Sequence, residues 1–167
     1  ADKDIGLVEQ DCKASNYSTR IVKVHTSNLC NSTCVTCNSG ASSAWATLRK
    51  EKTFYIVPSD TFDEINYKDL VMLSFVGGEP LIEKKNFWAL EQLIANNNTN
   101  CFISLVTNGS IELSDKQKDI LAKFKNVNIC LSIDGIEKRF EYMRYPLKWD
   151  TLLDNITFFR KLNFIVT

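Results

Sequence analysis

Three short apolar runs fix most of what this chain can fold into: VMLSFV at 71–76, CFISLV at 101–106 and VNICLSI at 127–133. Each is too short for a helix, and a continuous apolar run of this length predicts a strand covered on both faces. RIVKVHT at 20–26, rich in β-branched residues, predicts a strand before them, and NFIVT at 163–167 a fifth after them. The segments between them carry helical signals. SSAWATLRK at 42–50 reads as a helix entered through Ser39 and Gly40, and DTFDEINY at 60–67 as a helical turn capped by Asp60. Phe87, Leu90, Leu93 and Ile94 recur at helical spacing. Ser114 and Gln117 form a capping box before DKQKDILAKF, and IEKRFEYMRY and DTLLDNITFFRKL follow, the latter with Asp150 as N-cap. Strands alternating with helical crossovers predict a parallel α/β sheet. An open doubly wound sheet and part of a TIM-type (β/α) barrel both satisfy that order.

At 29–40 the chain reads LCNSTCVTCNSG, with three residues between Cys30 and Cys34 and two between Cys34 and Cys37. A closed structural zinc site takes four ligands, and so does an ordinary [4Fe–4S] cluster. Cys12 and His25 are the remaining candidates, and neither is locally placed. Cys101 and Cys130 sit in apolar runs, where a cysteine behaves as a small hydrophobe. The cluster of three therefore reads as metal or redox chemistry in a reducing compartment, one ligand short.

Ligands of parallel α/β folds bind at the carboxyl ends of strands. There the unusual residues collect: the cysteine loop after the first strand, GGEP (Gly77 to Pro80) after the second, TNGS (Thr107 to Ser110) after the third, and Ser132 on the fourth, which runs into Asp134 and Gly135. Paired glycines permit close backbone approach. Twenty basic and twenty acidic residues give a formal net charge of zero, and no basic stripe interleaved with aromatics argues for nucleic acid. No apolar run approaches membrane-spanning length, and the N-terminus lacks a secretory pattern. The expectation is a cytoplasmic protein that engages neither nucleic acid nor membrane. Residues 1–19 read as an N-terminal extension and 20–167 as one domain. Because Thr167 follows an apolar strand with no helix to cover it, the domain is expected to be a fragment of a longer protein.

CNSTCVTC followed by GGEP, TNG and SIDG resembles the radical S-adenosylmethionine (SAM) superfamily, and within it the group with SPASM or twitch auxiliary-cluster domains, whose members mostly modify peptides and proteins. The resemblance implies a partial (β/α) TIM-type barrel of parallel strands, incomplete after the fifth. It implies that Cys30, Cys34 and Cys37 hold three irons of a [4Fe–4S] cluster, and that SAM chelates the fourth through its amino and carboxylate groups. An external one-electron reductant, flavodoxin- or ferredoxin-like, would reduce the cluster. Reductive cleavage of SAM would then give a 5′-deoxyadenosyl radical that abstracts hydrogen from a substrate, peptide or protein in the SPASM/twitch group. By position, the backbone of Gly77, Gly78 and Glu79 would meet the methionine amino group, Ser132 and Arg144 the carboxylate, and Thr107, Asn108 and Asp134 the ribose side. Thr36 stands where the family often has an aromatic beside adenine, leaving its backbone for that contact. Cys12 is either a remnant auxiliary ligand or inert. A glycyl-radical-enzyme activase and a cofactor- or nucleoside-synthesising enzyme share these motifs. A non-catalytic iron–sulfur or zinc module is the alternative outside enzymes.

Overall fold

The computed structural model describes residues 19–167. Cys12 and the extension up to residue 18 lie outside them. Five strands form one sheet: β1 (Ile21–His25), β2 (Met72–Val76), β3 (Phe102–Thr107), β4 (Val127–Leu131) and β5 (Ile165–Val166). They lie side by side in chain order, every pair parallel. Five helices lie in the connections: α1 (Ser43–Arg49), α2 (Lys84–Ala95), α3 (Asp115–Leu121), α4 (Glu137–Met143) and α5 (Trp149–Lys161). A doubly wound sheet reverses its strand order at a switch point. This sheet has no reversal and is not closed, so it is an arc of a (β/α) barrel, as expected.

The register decides which side chains share a face. Val24, Phe75, Leu105, Ile129 and Val166 form one row across all five strands. With Leu73 and Ile103 this row belongs to the core, together with Phe87, Leu90 and Leu93 of α2, Leu121 of α3 and Phe159 of α5. The neighbouring row runs Lys23, Ser74, Ser104, Asn128, Ile165 and faces the opposite way. Ser74 and Ser104 of that row are themselves buried, at 6% and 8% exposed, so the centres of β2 and β3 are covered on both faces, as expected, though one of those faces is polar. Crossovers of one hand in an unreversed strand order put α2, α3 and α5 on one side, and the other side is left polar at its centre. Cys101 is buried as expected, whereas Cys130 is only half-buried.

The capping box of Ser114 and Gln117 forms as read. Two other caps differ. The 60–67 segment contains only a 3₁₀ turn, Ser59–Phe62, that follows Pro58 without a side-chain cap. Helix α5 starts one residue before Asp150, and its N-cap is Lys148, whose side chain caps nothing. The Trp149 amide instead donates to the Glu141 carboxylate of α4 at 3.3 Å, so a tertiary acceptor replaces the local one. No described helix is long and apolar enough to cross a membrane.

Candidate cofactor site

The cysteine loop leaves β1 and is clamped from two sides. On one side stands the start of α1. Ser43 Oγ donates to the Cys30 carbonyl at 3.2 Å and accepts the Cys30 amide at 3.0 Å. Ser42, the N-cap of α1, donates to the Ser32 carbonyl at 2.7 Å, and the Trp45 indole N–H reaches the Cys34 carbonyl at 2.9 Å. On the other side stands the end of α4. The Thr33 amide donates to the Tyr145 carbonyl at 2.7 Å and the Val35 amide to the Met143 carbonyl at 2.8 Å. Loop carbonyls and amides that would otherwise face solvent are thus satisfied by two helix ends. The Ser32 hydroxyl sits 3.3 Å from both Cys30 Sγ and Cys34 Sγ.

All three thiols line one cavity of about 230 Å³, shared with Thr36, Gly77, Gly78, Asn108, Ser132 and Arg144. The glycines are there because nothing larger fits. Gly77 has φ 128°, and a Cβ on it would stand 2.7 Å from the Ser27 carbonyl oxygen. A Cβ on Gly78 would collide with the carbonyl of Leu29. The Gly78 and Glu79 amides donate to Ser27 and Leu29 carbonyls at 3.0 and 2.7 Å, which presses the two loops together.

Glu79 and Thr107 are outside the cavity lining. Glu79 is 1% exposed, and its carboxylate accepts from Thr107 Oγ1 at 2.7 Å, the Asn108 amide at 2.7 Å and the Leu81 amide at 3.0 Å. Burial pushes its pKa up, against the pull of these three donors. The pair ties the rim of β2 to the rim of β3 behind the cavity. Asn108 does reach the cavity, and its side-chain amide donates to Asn31 Oδ1 at 2.8 Å. Asn31 lies inside the cysteine motif and was not singled out in the sequence. Nor was Asn28, fully buried, which donates to the Ser39 carbonyl and accepts the Tyr55 amide. His25 stands apart from the thiols, exposed and stacked on Tyr55.

Arg144 brings a positive charge to the thiols. Its Nη2 is 2.8 Å from Asp134 Oδ2, its Nη1 3.7 Å from Cys34 Sγ, and its Nε is buried with no hydrogen-bond partner among the described residues. Asp134 pairs with Arg144 and does not line the cavity. The Cys37 thiol is pushed up by burial first, and the nearby Cys34 and Cys30 add to the rise.

The five described cysteines are free thiols. Among the described residues no three metal-ligating side chains converge on a point that one ion could fill. An iron–sulfur cluster asks for something different, since each thiolate binds its own iron across the width of the cluster. Three soft thiols spread around one cavity, with an Arg to offset negative charge, suit that larger group.

No family model matches the chain, and no curated protein does. Solved structures do. Hexahistidine-tagged anSMEcpe with bound AdoMet (S-adenosylmethionine) is 19% identical with a TM-score of 0.65, covering 90% of this chain and 42% of that one. Streptococcus suis SuiB bound to S-adenosylmethionine is 14% identical with a TM-score of 0.60, covering 96% of this chain and 34% of that one. Native anSMEcpe with AdoMet and Cp18Cys peptide is 20% identical at a TM-score of 0.58, over 89% of this chain and 41% of that one. At such identities the likeness is one of fold, and this chain spans less than half the length of each.

Proposed function

We propose that this chain is the catalytic core of a radical SAM enzyme, with Cys30, Cys34 and Cys37 as the thiolate ligands of a [4Fe–4S] cluster. One observation carries the reading: the three thiols, the Gly77–Gly78 cradle, Ser132 and Arg144 line a single cavity at the carboxyl ends of the strands. When bound and reduced, the cluster supplies one electron to the sulfonium of SAM, whose cleavage generates the radical that takes hydrogen from the substrate.

The chain's own residues do the holding. Ser42, Ser43 and Trp45 fix the loop backbone so that the three thiols face the cavity. Gly78 and Glu79 have their amides committed, which leaves the carbonyl side of the turn for the methionine ammonium. Ser132 and the planar fork of Arg144 suit its carboxylate. Asn108 and the Thr36 backbone would line the nucleoside side. Electrons would come from a flavodoxin- or ferredoxin-like reductant, in a reducing, cytoplasmic setting. A peptide or protein is the substrate class favoured by the sequence motifs. The peptides bound in two structures of this fold, Cp18Cys with anSMEcpe and SuiA with SuiB, point the same way.

The test is anaerobic reconstitution with iron and sulfide, reduction, and EPR spectra with and without SAM, with Cys34→Ala as control. The expected outcome is a [4Fe–4S]⁺ signal that changes on adding SAM and is lost in Cys34→Ala. A signal indifferent to SAM, or bound zinc with no cluster, would overturn the reading.

A further inference from the structure

The ion pair between Asp134 and Arg144 adds no ligand to the cluster, and its geometry is specific. Arg144 sits where β4's exit loop and the end of α4 meet the cysteine loop. Its backbone is held in both directions, the amide donating to the Phe140 carbonyl and the carbonyl accepting the Leu147 amide, each at 2.9 Å. The side chain is not held by packing alone. It is largely buried, at 13% exposed, and a guanidinium withdrawn from water needs a carboxylate or several acceptors around it. Asp134 supplies one contact at 2.8 Å, and Cys34 Sγ lies 3.7 Å from another nitrogen. A guanidinium carries five N–H groups. Among the described residues those two contacts leave three of them over, and the Nε–H is both buried and unpartnered. A buried donor left unmatched costs about 1–3 kcal/mol, and Arg144 lines the cavity through which an acceptor would come.

We propose that Asp134 is the positioning residue of this site: it fixes the Arg144 guanidinium beside Cys34 so that its spare N–H groups meet the carboxylate of the bound ligand. The inference rests on the SAM reading and departs from the ribose-side role that the motif position alone implies for Asp134. Asp134 does not line the cavity, so it acts through Arg144. Its loss frees the guanidinium to rotate toward water, and the carboxylate contact goes with it. Partners that orient metal-ligating side chains cost about tenfold to a hundredfold when removed, and that range sets the scale expected for Asp134.

The experiment compares two ligands on the reconstituted protein by calorimetry: SAM, and its decarboxylated analogue, which keeps the sulfonium, amine and nucleoside. In Asp134→Asn, SAM should bind about ten- to a hundredfold more weakly, the analogue should bind as it does to the unaltered protein, and Asp134→Glu should restore much of the SAM affinity. Iron content and melting temperature report whether the variants fold. Equal weakening of both ligands makes Asp134 merely structural and overturns the proposal, as does unchanged SAM binding in Asp134→Asn. If the unaltered protein binds neither ligand, the SAM reading itself has failed and the inference falls with it. If it binds SAM and only the Asp134 effect is missing, the SAM reading stands and this inference alone is lost.

Discussion

Gly78 shows how much of this site is set by single residues. Its absent Cβ lets the GGEP turn lie against the backbone of Leu29, one residue before Cys30. Nothing at the collision point is a flexible side-chain end, so Gly78→Ala must push the two rim loops apart. Overpacking of this kind costs about 1–3 kcal/mol. The expected result is a lower denaturation midpoint together with weakened SAM binding, because the cavity wall moves with the loop. Gly40→Ala is the contrast, since its Cβ would meet only the Asn38 side chain, at 3.1 Å. It should change stability far less. If the two variants are equally mild, the close approach is not what the glycine is for. Cysteines and paired glycines were legible in the sequence because their chemistry belongs to the residue type. The contacts of Asn31 and Asp134 were not. Asn31 meets Asn108, 77 positions away, and Asp134 an arginine beyond a helix.

At the scale of elements, α1 is short, with seven residues, and its first turn serves the cysteine loop more than the core. Ser42 caps the helix through the Trp45 amide and donates to the carbonyl of buried Ser32. Removing that hydroxyl leaves an amide and a carbonyl unmatched together. Ser42→Ala should therefore cost about 0.5–2 kcal/mol for the cap and lower the iron retained per chain after reconstitution and desalting. A stability loss with full iron retention would mean that α1 supports the fold but not the loop. The helix itself was readable from its pattern, and so was the Ser114–Gln117 box, where both partners are local. Asp150 was misread for the opposite reason. The first amide of α5 finds its acceptor on α4, and no local sequence signal reports a tertiary cap.

For the whole molecule, the alternation in the strands mattered more than their hydrophobicity. LSF at 73–75 and ISL at 103–105 each place a serine between two core residues, and the register aligns Ser74 with Ser104 across the sheet. Reading these runs as uniformly apolar hid a period of two, and with it the polar centre of the second face. Strand order was equally out of reach, because β/α alternation is common to reversed and unreversed sheets. The two faces make a prediction that tests the arc directly. Leu105 is 1% exposed within the helix-packed core, so Leu105→Ala should cost about 2–5 kcal/mol through lost burial and an unfilled cavity. Ser104, its neighbour, is 8% exposed but faces the polar side of the arc. Ser104→Ala should cost about 1 kcal/mol or less. Urea denaturation of the two variants against the unaltered chain measures both. A large and equal cost at the two positions would mean that the concave face is itself packed. The serine row would then hold the sheet as tightly as the helix-packed row does.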